Sequence, residues 1–371
     1  MTEQINPYAP LIAIVTLILA VASGGTSLLA STIDKGGNAL DHRLVSFIQE
    51  RFLIASPDRI KLDGAQPSPF PKLTMRPVTM VGDRGKQVRF DLFTLPASSK
   101  VLMGQLLELG KNGSEDQRLL AALRDKFHLP AATQVDFTPA VPADFGGLDR
   151  RQASAPGQQG HMDIYINPAQ TYAVAGQLID LDGDPWNKVD LSTLHLTDRA
   201  TLGPADAPVT VIEFGDFECP YCAHAIQTVE NAVQNTYSGK VRLIFKNFPL
   251  RGHAWAQPAA IAGECVREQN PAAFWDYVHD IYRDQSSINA DNFSQHLDRF
   301  VSDHQLDPQI MHACVMGAQA ENQVEQDVAD GQRIHIASTP SFFVNGIPVI
   351  GDRDAATFDF VIDSALGTKG S

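Results

Sequence analysis

Two cysteines three positions apart, Cys219 and Cys222 in Phe217-Glu218-Cys219-Pro220-Tyr221-Cys222-Ala223-His224, follow a short β-prone run and open a helical pattern. That setting gives the spacing its chemistry. A helix start offers unpaired N–H groups and partial positive charge, which lower a thiol pKa and favour the nucleophilic thiolate. Cys219, nearest the helix start, is expected to be the exposed attacking thiolate. Cys222, one turn in, is expected to be the buried thiol that resolves a mixed disulfide by attacking the sulfur of Cys219. Two blander readings compete. A zinc site needs four ligands, usually from two such pairs, and the sequence holds no second C-x-x-C. A purely structural bridge would close so small a loop that it would stabilise little. No metal and no cofactor are expected.

Other side chains stand close enough in sequence to matter. Glu213 lies six positions before Cys219, at the end of the preceding strand and between apolar Ile212 and Phe214. A buried glutamate near a thiol would have a raised pKa and could accept its proton. Lys246, at the end of the next strand, is either the charge partner of Glu213 or a solvated strand-edge charge. His224 is either an aid to the Cys219 thiolate or an ordinary helix-surface histidine. His253 and Trp255 line a substrate face or simply pack, and Glu325, Asp327 and Asp330 read as a solvated helix face.

The elements that must position the dithiol are legible around it. Val209 to Phe214 is a β-rich apolar run, Cys222 to Tyr237 a helix, Val241 to Phe248 a second strand, and His253 to Arg333 mostly helical with proline breaks. Ser341 to Val344 and Ile347 to Ile350 flank Asn345-Gly346, a strong hairpin signal, and Ala355 to Leu366 closes with a helix. The order βαβ, helical insertion, ββα describes a thioredoxin fold interrupted by helices at about 253–333.

Upstream, the chain repeats itself. RLVSFIQERFLIASPDRIKLDGAQPSPFPKL followed by VRFDLFTLPASSKVLMGQLLEL is matched by RLLAALRDKFHLPAATQVDFTPAVPADFGGL followed by MDIYINPAQTYAVAGQLIDL. The offset is about 75 residues at Phe52 and Phe127 and about 72 at Gly104 and Gly176, as between tandem duplicates with a small deletion. Each copy reads as an amphipathic helix (Leu44, Phe47, Ile48; Leu119, Leu120, Leu123), a strand, a Pro/Gly loop and alternating strands ending in Gly-Gln-Leu. The expected organisation is therefore a membrane segment and linker at 1–40, two small α+β modules at 41–112 and 113–190, and a thioredoxin-like domain at 191–371. Gly110 to Asp116 and Asp182 to Ala207 are read as linkers.

A length of 371 residues supports several cores, and a formal net charge of -14 argues against nucleic acid as a partner. From Gln4 through Ile33 no side chain is charged, and Pro10 to Ala22 is nearly all apolar, which reads as a membrane-targeting segment. Ala20-Val21-Ala22 looks like a cleavage site, whereas the preceding stretch has Glu3 and no lysine or arginine, so an uncleaved anchor is favoured.

The stretches GPADAPVTVIEFGDFECPYC, KNFPL and GQRIHIASTPSFFVNGIPVIG resemble the DsbA/DsbG-like thioredoxin-fold proteins of the bacterial envelope over about Gly203 to Leu366. That resemblance implies a thiol:disulfide oxidoreductase on the extracytoplasmic side, acting on proteins with thiols or disulfides and recharged by a membrane redox partner. It implies that Thr339-Pro340 is a cis-proline loop against the cysteines, with the backbone of Thr339 pairing with substrate peptide beside Pro220 and Tyr221. It also implies that Glu213 is the buried carboxylate that manages the proton of Cys222. Relatives often carry cysteines at the places of Cys265 and Cys314, which favours a structural disulfide there over two inert buried thiols, as does the even cysteine count. More weakly, the upstream copies resemble the cystatin-like N-terminal module of the DsbC/DsbG isomerases. The sequence leaves three functions open: an oxidase, an isomerase or reductase of the DsbG type, and a membrane-tethered binding or chaperone protein with an incidental dithiol.

Overall fold

Residues 39–82, 85–156 and 160–368 are described by the structure, a computed structural model. The expected membrane segment and linker at 1–40 lie outside them except for Ala39 and Leu40. Among the described residues no helix is long and apolar enough to cross a membrane. The chain divides into two units, Met1–Pro185 and Trp186–Ser371.

In the first unit the repeat becomes a single sheet. The first copy runs α1 (Ala39–Phe52), β1 (Ile60–Leu62), β2 (Gln66–Pro67), β3 (Thr74–Val81), β4 (Gln87–Thr94) and β5 (Lys100–Glu108). The second runs α2 (Glu115–Phe127), β6 (Asp136–Phe137), β7 (Val141–Pro142), β8 (Asp149–Ser154), β9 (Met162–Ile166) and β10 (Tyr172–Asp180). The strands order as β1-β3-β4-β5-β10-β9-β8-β6, with β2 on β3 and β7 on β8, so the copies meet at β5 and β10. Those two strands are antiparallel with Gly104 opposite Gly176, each glycine facing its own repeat counterpart. A Cβ on Gly104 would lie 2.3 Å from the Ala175 carbonyl oxygen, and one on Gly176 would lie 2.1 Å from that of Met103. The Gly-Gln-Leu motif therefore stands in mid-strand rather than at a strand end, because only glycine allows so close an approach.

The cores cross the same seam. Leu44, Phe47 and Ile48 of α1 pack with Val78, Phe90 and Met103, and also with Ile179 and Leu181 of the second copy. Leu119 and Leu123 of α2 pack with Ile164 and Ala175, and also with Leu107 and Leu109 of the first. A further cluster draws Phe70, Phe93 and Leu102 together with Phe145, Tyr165 and Val174. The expectation of two modules at 41–112 and 113–190 thus gives way to one body, since each copy completes the apolar burial of the other.

The second unit carries a sheet ordered β11-β13-β12-β14-β15: β11 (Thr201–Leu202), β12 (Val209–Gly215), β13 (Val241–Asn247), β14 (Ser341–Val344) and β15 (Ile347–Ile350). β12 and β13 are parallel, and the other pairs are antiparallel. α3 (Pro220–Asn231) follows β12, and α4 (Ala256–Gln269), α5 (Ala273–Asp284), α6 (Phe293–Asp303), α7 (Pro308–Val315) and α8 (Ala318–Arg333) form the insertion before β14, with α9 (Ala355–Ala365) last. The stretch Asp182 to Ala207, expected as a linker, belongs to this fold from Trp186 onward. Val189 N donates to Gly346 O at 2.9 Å, and Leu194 joins a core with Ile212, Phe214 and Ile244.

Candidate functional site

The dithiol sits where β12 turns into α3. Cys219 caps the helix and Pro220 takes its first position, where the missing N–H costs nothing. Cys222 N and Ala223 N both donate to Cys219 O, at 3.1 and 3.3 Å. Both cysteines are free thiols. Cys219 is only 4% exposed, against the expectation of an open thiol. The Thr339–Pro340 peptide is cis, and the Thr339 carbonyl oxygen lies 3.4 Å from Cys219 Sγ, covering the sulfur from the loop that leads into β14. Beside it, Pro220 is exposed and Tyr221 is 58% exposed.

The two thiols are driven apart. A hydrogen bond from the Cys222 thiol, with support from the Thr339 side chain and the N–H groups of Cys222 and Tyr221, outweighs burial and brings the Cys219 pKa down to about 6. Burial pushes Cys222 well above the ordinary thiol value, helped by that same bond and by the charge of Glu213. Glu213 is fully buried, and neither carboxylate oxygen has a hydrogen-bond partner. Burial first, then the charges of Glu230 and Cys219, hold its carboxyl well above the usual carboxylate range.

Lys246 is neither a partner of Glu213 nor a solvated charge. In the parallel ladder Glu213 stands opposite Phe245, and Lys246 opposite Phe214. Alternation along a strand then sends Glu213 and Lys246 to opposite faces of the sheet. On its own face the fully buried Lys246 lies 2.8 Å from Asp327 and 2.7 Å from Asp330. Arg199 adds a 2.7 Å contact to Asp327, and Asn247 N donates to Asp327 Oδ2 at 2.9 Å. The Asp327 and Asp330 side chains are wholly buried, so the expected solvated face of α8 is a buried ionic cluster and only Glu325 of the three is exposed. Burial would raise the Asp330 carboxyl, but bonds from Lys246 and His195 hold it well below the usual range.

A ring of side chains fixes the corner before Cys219. Asp216 Oδ1 accepts from Glu218 N at 2.7 Å, and its Oδ2 accepts from Leu250 N at 2.8 Å and faces His253 Nδ1 at 2.7 Å. Glu218 Oε2 accepts from Trp255 N at 2.8 Å, turning the charge next to Cys219 toward the start of α4. Gln285 Nε2 donates to Phe217 O at 2.8 Å and Cys219 O at 3.1 Å. His253 thus braces the loop through Asp216. The short Asp216-x-Glu218 turn was a local signal for Asp216; Gln285, 66 positions from Cys219, had none. His224 turns to Asp352, 2.8 Å away, and its side chain is 69% exposed, so it is a surface histidine.

Cys265 on α4 and Cys314 on α7 form a disulfide that joins residues 49 apart. Among the described residues Asp280, Asp284 and His296 come near enough to hold a metal ion. Their charges already serve one another, however, because Arg283 pairs with both aspartates and His296 Nε2 lies 2.7 Å from Asp280.

A cysteine pair at the first turn of a helix that follows the central strand of a mixed sheet places the second unit in the thioredoxin-like class. A family model described as Thioredoxin matches residues 196–364. Disulfide bond formation protein D of Bacillus subtilis is 30% identical over 151 residues, which span 40% of this chain and 68% of that one. The Na(+)/H(+) antiporter NhaA 3 of Salinispora tropica is 36% identical over 146 residues, 39% of this chain and 21% of that one, so the chain spans about a fifth of that relative. The structure of oxidised BdbD from Bacillus subtilis is similar with a TM-score of 0.43 and 25% identity, covering 47% of this chain and 96% of that one. The chain belongs to the family of disulfide bond formation protein D, the DsbA-like thiol:disulfide oxidoreductases.

Proposed function

We propose that Cys219 and Cys222 form a redox-active pair that oxidises protein thiols, and that the divided thiol pKa values carry this reading. With Cys219 brought to about 6, the reduced pair is stabilised as a thiolate, and a stabilised reduced form makes an oxidising disulfide. In the forward direction a substrate thiolate attacks Cys219 Sγ of the Cys219–Cys222 disulfide, and Cys222 leaves as a thiolate. Glu213, whose carboxyl burial holds well above the usual carboxylate range, is the group placed to supply that proton to Cys222. A second substrate thiolate then attacks the substrate sulfur of the mixed disulfide and releases Cys219 as its thiolate. The substrate has lost two electrons as its disulfide forms, and the dithiol has gained them.

Exposed Pro220 and Tyr221, with the backbone of Thr339 beside buried Pro340, are the surface offered to an extended substrate segment. The pair works on the extracytoplasmic side of a membrane, tethered through the N-terminal segment, where a membrane redox partner reoxidises it. An equilibrium titration of the full chain in glutathione buffers, with the Cys265→Ala/Cys314→Ala variant as control, tests the direction of electron flow. A potential near about -120 mV is expected, and one near about -200 mV or lower would make the protein a reductase or isomerase instead.

A further inference from the structure

The duplicated first unit contains its own control, since equivalent residues do equivalent work unless one copy has gained another task. The pin between helix and sheet is kept in both. Arg76 on β3 pairs with Asp41 in the first turn of α1, and Arg151 on β8, at the same place in the repeat, lies 2.6 Å from Asp116 in the first turn of α2.

The loop between the last two strands of each copy is not kept. It reads Leu95-Pro96-Ala97-Ser98-Ser99 in the first and Asn167-Pro168-Ala169-Gln170-Thr171 in the second. Both turns close with the same bond, Ser98 N to Leu95 O at 3.2 Å and Gln170 N to Asn167 O at 2.8 Å. In the second copy Gln170 occupies Arg118, whose Nη1 donates to Gln170 O at 2.8 Å and Nη2 to Gln170 Oε1 at 2.6 Å. In the first copy the small Ser98 stands in that place, and the matching Arg43 is paired instead with Asp182, whose side chain is 69% exposed. A cleft of about 630 Å³ opens there, lined in part by Leu40, Arg43, Leu95, Ser98 and Val101.

We propose that this cleft binds a carboxylate carried on a short apolar body. Its volume lies within the usual range for small-ligand sites. A guanidinium meets a carboxylate with two parallel hydrogen bonds, and Arg43 can exchange its present partner because a solvent-exposed ion pair contributes little. Ser98 Oγ accepts from Lys100 N at 3.0 Å, which leaves its hydroxyl proton to donate. Leu40, Leu95 and Val101 take the apolar body. Arg76, which also lines the cleft, is already committed to Asp41 and to Asp63 O at 3.1 Å. Two sources share this chemistry, the C-terminal residue of a peptide and a free organic acid.

Titration calorimetry on the full chain tests the site with four probes: acetyl-leucyl-alanine and its C-terminal amide, and hexanoate and hexanol. At least one acid is expected to bind once per chain while its neutral counterpart does not. Binding by the peptide acid alone assigns the site to chain termini, and binding by hexanoate alone assigns it to free acids. Ser98→Gln, which rebuilds the plug of the second copy, is expected to abolish binding, and Arg43→Gln to weaken it at least tenfold. Gln170→Ser is expected to leave the stoichiometry at one, because the second copy has Glu115, Asn167 and Ala173 where the cleft has Leu40, Leu95 and Val101. Absence of binding by both acids, or binding unchanged by Ser98→Gln in a protein that melts like the parent, overturns the proposal.

Discussion

Glu213 and Lys246 sit on neighbouring strands of one sheet, both wholly buried, and they differ in what surrounds them. Lys246 meets Asp327 and Asp330 in a cluster completed by Arg199, so its charge is matched. Glu213 has no hydrogen-bond partner on either oxygen and lies among groups that raise its pKa. A matched buried charge holds elements in register, whereas an unmatched one is costly and persists where its proton is used. The first arrangement ties α8 to β13; the second lies beneath the dithiol.

The largest effect expected from breaking this contrast is on the matched side. Lys246→Ala removes the buried cation shared by Asp327 and Asp330, leaving Arg199 beside the first and Arg333 and His195 beside the second, and is expected to cost about 3–5 kcal/mol in denaturant unfolding. The thiolate absorbance titration of Cys219 should be unmoved; if its midpoint shifts, the two faces of the sheet are not independent. On the other side, Cys222→Ala removes the strongest support of the Cys219 thiolate. The pH at which iodoacetamide reactivity is half-maximal should then rise from about 6 toward the ordinary thiol value.

Glu213→Leu should have a smaller effect, and one that depends on pH. A carboxyl whose folded pKa is raised binds more protons in the folded state, so the wild type loses stability as pH climbs from the unfolded pKa toward the folded one. The variant escapes that loss and is expected to gain about 1–3 kcal/mol over the wild type at pH 8, less at pH 5, while exchanging disulfides more slowly. An equal gain at both pH values would mean that Glu213 does not titrate in this window. The smallest change is expected from His224→Ala, within about 0.5 kcal/mol in stability and with no change in Cys219 reactivity, since that histidine is turned toward Asp352.

Much of the fold around the dithiol was legible locally. The apolar run Val209 to Phe214, the Asn345-Gly346 hairpin and the cysteine pair at a helix start are short-range signals, and the elements lie where those signals put them. The repeat was legible too, because two copies of one pattern can be compared without knowing either structure. What the repeat does was not. That Gly104 would face Gly176, and that Ile179 would fill the core beneath α1, depends on a pairing between strands some 70 residues apart in sequence.

The same division runs through the site. Residue type and spacing singled out the candidate atoms for chemistry, namely the sulfurs of Cys219 and Cys222 and the carboxylate of Glu213, because a helix start and an apolar strand are local properties of the chain. The tertiary structure alone decided what each charge would meet. Register sent Lys246 to the far face, α8 brought Asp327 and Asp330 into the interior, and the Thr339 loop closed over Cys219. Burial and electrostatic pairing are fixed by neighbours distant in sequence, and no local pattern records them.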